Sequence, residues 1–295
     1  MFIHQTVRRN RSEFKIIAFN YFGGKFTWIE YLYRYFPEGF THLVDLFAGS
    51  MVVSINYPGK VIKTANEINS DITNFFEVLR NHEDDLIRLL LLTPCSLQEY
   101  DNCREYSDDN IEQARRFYVR VRQSFFGLGC QRQNKGWHMA KKKVLAQGGE
   151  TVSRWNNTIE KLHEVAEVLR SGFQITNFDY TDCIDKIDFP KAFFYCDPPY
   201  PVESRGGKSK GKDYKFDFTD DDHRQLAARL HRIEGKAMIS GYDCNLMNEL
   251  YGDWHKVKFP IKRNNIRSNI VNGSGTIMQE TIWMNYVPTN YQKLF

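Results

Sequence analysis

Cysteine is scarce and unpaired in pattern: Cys95, Cys103, Cys130, Cys183, Cys196 and Cys244 are the only six in 295 residues, and no two form a Cys-x-x-Cys pair. With no zinc-finger histidine spacing beside them, free buried thiols are expected. The eight histidines are scattered and include no His-x-x-x-His pair, which removes the usual helical metal clamp; no metal site is expected. Long apolar runs are also missing. The stretch Leu89 to Leu92 is far shorter than the roughly twenty residues that span a bilayer. Arg8, Arg9 and Arg11 are followed by neither the apolar core nor the small-residue cleavage site of an export signal. A monomer in the cytoplasm, away from membranes, is the expectation. Charge of one sign is barely in excess, at 40 Lys plus Arg against 36 Asp plus Glu. Aromatic residues are plentiful, with 22 Phe, 16 Tyr and 5 Trp. They exclude disordered and fibrous chains and suit one α/β catalytic domain carrying a smaller insert.

Thr41 to Phe47 reads as a strand entering Ala48-Gly49-Ser50, and Lys60 to Ala65 as a second strand ending at Asn66 and Glu67. A strand handing over to a helix through glycine brings free backbone N–H groups to a ligand, which is a Rossmann-like beginning. Asp71 to Leu92 is helical with a break at Asn81 and His82, and Pro94 ends it. Asp108 or Asp109 caps a helix running to about Phe126, after which Gly127, Gly129 and Gly136 imply turns or a hairpin. Trp155, Ile159, Leu162, Ala166 and Leu169 recur at helical spacing, predicting one helix over Thr151 to Arg170 that stops at Gly172. The sheet resumes with strands Gln174 to Phe178, Ala192 to Cys196, Lys236 to Ser240 and Thr276 to Tyr286, with a helix at Asp220 to Leu230. The reading is therefore a Rossmann-like α/β sheet formed by residues 1–74 and 171–295, interrupted by a mainly helical insert at 75–170.

Charge is unevenly spread. Gln113 to Gly149 contains no acid, yet it holds Arg115, Arg116, Arg120, Arg122, Arg132, Lys135, Lys141, Lys142 and Lys143, with Phe125, Phe126 and Trp137 interleaved. Such a surface attracts a polyanion through counterion release, and its rings offer stacking material. The alternative is a solvated helix face. Arg132, Gln133, Asn134 and Lys135 are suited to base edges and phosphates. Shorter basic runs follow, one from Arg205 to Lys215 and one from Lys256 to Arg267.

The sharpest motif is Asp197-Pro198-Pro199-Tyr200, directly after a predicted buried strand. It combines a carboxylate acceptor, two fixed φ angles and a flat amphipathic ring. Asp197 and the Pro198 carbonyl can accept two N–H bonds from an amino group, while Tyr200 stacks on the base that bears it. An exocyclic amine is a poor nucleophile because its lone pair is delocalised into the ring. Converging acceptors favour its more pyramidal transition state without prior proton abstraction. Glu67 stands eighteen positions after Gly49, close to the spacing at which an acid reaches ribose hydroxyls in a dinucleotide fold. Asp71 competes for that role.

Taken in order, Phe22-Gly23-Gly24-Lys25, Asp45-Leu46-Phe47-Ala48-Gly49-Ser50 and Asp197-Pro198-Pro199-Tyr200 resemble Dam-like DNA N6-adenine methyltransferases. The long insert before the tyrosine motif is similar to the D12, or alpha, group, whose insert carries target recognition. The resemblance implies S-adenosylmethionine as methyl donor, its methionine end embraced by Phe22 to Lys25 and the Asp45 to Ser50 loop, with Asp197 between donor and amine. Lys25 would offset the donor carboxylate and Asp45 accept from its ammonium; Phe47 would pack near the adenosine and Asp179 accept from the donor's adenine amine. Double-stranded DNA is the implied partner, with the target adenine flipped out of the helix. Phe126, Gly127, Leu128 and Arg132 match the hairpin of such inserts, and the Gly206 to Lys212 loop is a candidate to close over the displaced base. The chain departs from the family at Met51, where a further glycine is common.

Cytosine N4 methylation would use the same acceptors, and a catalytically silent DNA-binding homologue would use the same basic insert. An RNA adenine methyltransferase is disfavoured by the extended insert. A nicotinamide oxidoreductase is disfavoured because no Gly-x-Gly-x-x-Gly sequence is present. A cognate restriction endonuclease stays open as a second partner, since no nuclease-like cluster stands out in this chain.

Overall fold

The computed structural model describes residues 15–21, 23–124, 136–139, 144–145, 148–204, 216–260 and 279–289. In chain order the strands are β1 (His42–Asp45), β2 (Ile62–Asn66), β3 (Val144–Leu145), β4 (Gly148–Gly149), β5 (Phe173–Thr176), β6 (Ala192–Cys196), β7 (Lys236–Tyr242), β8 (His255–Lys258) and β9 (Glu280–Met284). Seven of them form one sheet in the order β5-β2-β1-β6-β7-β9-β8, while β3 and β4 pair separately. The first five of that order run parallel, and β9 lies antiparallel between β7 and β8. This is the Rossmann-like arrangement, finished by an antiparallel edge.

Every residue of β1 and β6 is buried, as expected of central parallel strands covered on both faces. Their register pairs His42 with Ala192 and Asp45 with Tyr195, so the loops after Asp45 and after Cys196 emerge side by side. From β1 the chain steps outward to β2, and on its return it continues from β6 in the opposite direction. Ligands bind in the crevice that such a reversal opens.

The helices are α1 (Ile29–Arg34), α2 (Val52–Asn56), α3 (Ser70–Asn81), α4 (Glu83–Leu92), α5 (Leu97–Asn102), α6 (Asn110–Gln123), α7 (Glu150–Ile159), α8 (Leu162–Arg170), α9 (Tyr180–Ile187), α10 (Asp220–Leu230) and α11 (Asn245–Leu250). His82 leaves helical geometry between α3 and α4, at φ −132° and ψ 43°. Asp109 is the cap of α6, its carboxylate accepting from Glu112 N at 2.7 Å. That helix stops at Gln123, short of the expected Phe126, and the chain turns there into a bridge between Ser124 and Trp137. The single helix expected over 151–170 is two. Just before the break the Thr158 hydroxyl donates to the Arg154 and Trp155 carbonyls, competing with the backbone ladder. The apolar face survives, with Trp155, Ile159, Leu162, Ala166 and Leu169 all buried.

Helices α3 to α8 occupy the sequence between β2 and β5, yet their core is continuous with the sheet layer. Phe75, Phe117, Tyr118 and Trp155 pack in one cluster with Ala65 of β2, Met51 and Ile55. α3 begins at Ser70, before the expected insert boundary at 75. Among the described residues no helix is long and apolar enough to cross a bilayer.

Candidate active site

A cavity of about 290 Å³ opens at the C-terminal ends of β1, β2 and β6. Gly23, Gly24, Lys25, Asp45, Phe47, Ala48, Gly49, Ser50, Glu67, Asp179, Asp197, Pro198, Pro199 and Tyr200 all line it. Residues singled out from the sequence, spread over more than half the chain, are thus brought to one place. Phe22 lies outside the described residues.

One end of the cavity is made by loops and acids. Gly49 has φ +49°, and a Cβ there would lie 2.9 Å from the Tyr21 ring, so the loop needs glycine for both its conformation and its fit. The Gly49 N–H donates to Glu67 Oε2 at 2.8 Å, and Asn69 N–H donates to the other oxygen at 2.9 Å. Burial raises the Glu67 carboxyl above its ordinary range, opposed by those two amides. Asp45 is 2% exposed and accepts from Ser54 N at 3.3 Å and Ser54 Oγ at 2.8 Å. Burial outweighs these bonds and pushes its carboxyl up to about 7. Met51 adopts φ +54° and is fully buried in the core, so the departure from glycine there puts no side chain into the cavity. The rings of Phe47, Tyr180 and Phe218 meet pairwise at 5.5–5.8 Å. Asp179 caps α9, accepting from Thr181 N at 2.9 Å and Thr181 Oγ1 at 2.7 Å.

The other end is a charged floor. Lys25 is 3% exposed, and its ammonium donates to both oxygens of Asp197 at 2.7 Å and to the Gly23 carbonyl at 3.0 Å. Glu280 Oε1 stands 3.6 Å from the same nitrogen. Burial alone would lower the Lys25 ammonium, but Asp197 and Glu280 together hold it above its ordinary value. Ser240 Oγ donates to Asp197 Oδ1 at 2.8 Å. The Tyr200 hydroxyl donates to Glu280 Oε1 at 2.6 Å; its ring lies edge-on to Tyr242, with centroids 4.8 Å apart, and 5.0 Å from Lys25 Nζ. Burial, and then the neighbouring Glu280, push the Tyr200 phenol well above its ordinary range.

Sequence reasoning missed Tyr21, Ser240, Tyr242 and Glu280. Glu280 carried a weak signal, an acid at the head of the otherwise apolar stretch Thr281 to Met284. Lys25, expected to stand open toward a donor carboxylate, has its ammonium engaged by the protein's own acids.

The basic insert divides. Arg115 bonds Glu112 at 2.6 and 2.7 Å, Glu99 at 2.6 Å and Thr93 at 3.1 Å. Arg116 bonds Glu112 and the carbonyls of Glu105 and Tyr106. Arg120 reaches Asp71 at 3.2 Å, and Arg122 reaches the Arg154 carbonyl at 3.4 Å. Arg115, Arg120 and Arg122 tie α6 to neighbouring helices or their ends, and Arg116 ties it to the segment that precedes it. Phe125, Phe126, Gly127, Leu128, Arg132, Gln133, Asn134, Lys135, Lys141, Lys142 and Lys143 lie outside the described residues, as do Arg205 to Lys215 and the run from Lys262 to Arg267.

Residues 21–266, most of the chain, match the family described as D12 class N6 adenine-specific DNA methyltransferase. The chain belongs to that family. It is also 27% identical over 262 residues to a DNA N-6-adenine-methyltransferase of Escherichia phage P1, a match covering 82% of this chain and 32% of the phage protein. The chain thus spans about a third of the length of that relative. The D12 match begins at Tyr21, whose ring packs on Gly49, and takes in the cavity loops through Asp222.

Proposed function

We propose that the protein transfers a methyl group from S-adenosylmethionine to N6 of an adenine turned out of double-stranded DNA. The observation that carries the reading is the joining of two unlike half-sites in one cavity: a glycine loop with buried acids, and a carboxylate followed by Pro198-Pro199-Tyr200.

The first half-site fits S-adenosylmethionine. Gly24 and Gly49 let Tyr21 pack closely on the loops that line the cavity, where a Cβ would meet its carbonyl or its ring. Asp45 is a buried acid suited to an ammonium, Glu67 to ribose hydroxyls, and the Phe47, Tyr180 and Phe218 rings to a purine. When bound, the donor supplies a methyl group on a positively charged sulfur. Asp197 and the Pro198 carbonyl accept the N–H groups of the adenine amine and orient its lone pair. Tyr200 stacks on the flipped ring and replaces part of the stacking lost from the duplex. As positive charge develops on the amine nitrogen, the adjoining carboxylate is worth more than in water because the site is buried. Arg132 to Lys135 and Lys141 to Lys143 are proposed to hold the duplex, since Arg115, Arg116, Arg120 and Arg122 are occupied within the fold.

Mass spectrometry of nucleosides from DNA of a methylation-deficient host expressing the chain tests the reading. N6-methyladenine is the expected product. N4-methylcytosine would replace adenine by cytosine as the target, and no methylated nucleoside from a folded, donor-binding protein would reject the enzymatic reading.

A further inference from the structure

Lys25 bonds both of the Asp197 oxygens proposed to receive the adenine amine. Both carboxylate oxygens accept from its ammonium at 2.7 Å, and Oδ1 also accepts from Ser240. With Oδ1 accepting two bonds and Oδ2 one, a single acceptor site on Oδ2 is left for an incoming N–H, which then shares that oxygen with the ammonium and weakens its hold. A buried ammonium is strongly disfavoured without a counter-charge, so a lysine that loosens from Asp197 needs a second acid within reach. Glu280 is that acid. Its Oε1 is 3.6 Å from Lys25 Nζ, within reach of a small change in the lysine torsions. It enters from β9, on the far side of β7 from the strand that carries Asp197, and its side chain is 10% exposed.

We propose that Glu280 is a positioning residue for the acceptor amine: it takes over the Lys25 ammonium as Asp197 turns to the amine. This rests on the amine-methylation reading above. Burial raises the Glu280 carboxyl above its ordinary range and Lys25 opposes that rise, so the approach of the ammonium favours its ionised form; with both carboxylates ionised around one ammonium the floor carries one surplus negative charge. That surplus faces the nitrogen on which positive charge develops as the methyl group arrives, which stabilises the transition state more than the ground state. The Tyr200 hydroxyl bonds the same Glu280 oxygen at 2.6 Å, so the lysine's movement and the stacking ring are anchored to one group.

Glu280→Gln separates this role from a structural one, because the amide keeps the size and the acceptor for Tyr200 and removes only the charge. Methyl incorporation into unmethylated bacterial genomic DNA is measured with tritiated S-adenosylmethionine, beside donor binding by calorimetry. The expected result is a fall in turnover of about 10-fold or more, with donor affinity within about twofold of wild type. Glu280→Asp, which keeps the charge and shortens the reach, is expected to retain more turnover than Glu280→Gln. Adding Lys25→Met to Glu280→Gln removes the ammonium that has lost its alternative partner, and is expected to recover about fivefold of the loss. Turnover of Glu280→Gln within about threefold of wild type, loss of its donor binding, an Asp variant worse than the Gln variant, or a double variant no better than Glu280→Gln would each overturn the proposal. No methylation by the wild-type protein would instead sink the reading on which it rests, and the proposal with it.

Discussion

The Gly49 amide donates to Glu67 Oε2 at 2.8 Å, tying the loop that follows β1 to the acid that follows β2. One carboxylate therefore both shapes the loop and faces the cavity. Glu67→Ala removes the acceptor of two buried amides together with a proposed donor-binding group. It is expected to weaken S-adenosylmethionine binding by about 10-fold or more, measured by calorimetry, and to lower the melting temperature by several degrees. Unchanged donor affinity would remove Glu67 from the donor site.

Asp45 has a carboxyl pushed up to about 7 by burial, so below that pH the free protein holds it protonated. A donor ammonium prefers the ionised form. Donor affinity is expected to fall as pH drops below about 7, approaching tenfold per pH unit, and to be flat with pH in Asp45→Asn. Stability runs the other way. Between about 4 and about 7 the folded state binds more protons at this residue than the unfolded chain, so stability falls as pH rises through that window. Asp45→Asn is therefore expected to raise the melting temperature at pH 8 and leave it unchanged at pH 3.5, checked by calorimetric scans at both values.

Tyr200→Phe keeps the ring and removes the hydroxyl bond to Glu280, whereas Tyr200→Ala removes both. With 2-aminopurine at the methylated position of an identified site, fluorescence enhancement on binding is expected to persist in the Phe variant and be largely abolished in the Ala variant. Turnover is expected to fall by less than about tenfold for Phe and by about 100-fold or more for Ala. Equal flipping by both variants would refute the stack.

The basic insert is expected to separate by function. Arg115→Gln leaves Glu99 without its cation and Glu112 with Arg116 alone, and should lower the melting temperature by several degrees, with DNA affinity of the folded protein within about twofold. Replacing Lys141, Lys142 and Lys143 by Gln should instead weaken duplex binding and reduce the slope of log affinity against log salt by about 1 for each phosphate no longer neutralised. A salt slope unmoved by the lysine changes would place the duplex elsewhere.

The parts of the fold legible in the sequence were those fixed by local pattern. Ala192–Cys196 and Asp220–Leu230 are found with the predicted bounds, because a buried apolar run and a cap followed by helical periodicity need no distant partner. β8 was not legible: His255-Lys256-Val257-Lys258 offers one apolar residue and becomes a strand only by pairing along β9. The glycine loop and the Asp197 to Tyr200 motif announced the cavity because their chemistry is contiguous. Glu280 did not, since its partner Tyr200 is 80 residues away. The acid-free window from Gln113 opens one residue after Glu112, which holds two of its arginines, a pairing that the window by itself does not display.

Placing β9 between β7 and β8 has a consequence for biosynthesis. The last of the described strands in chain order fills an interior slot, so a ribosome-bound polypeptide that has finished everything through β8 still has β7 with an unpaired edge. Lys25, made well before β9, then waits beside Asp197 for a second acid that has not yet been synthesised. The charged floor closes only when the sheet does, so a protein released before β9 would lack the acid on which Tyr200 is anchored.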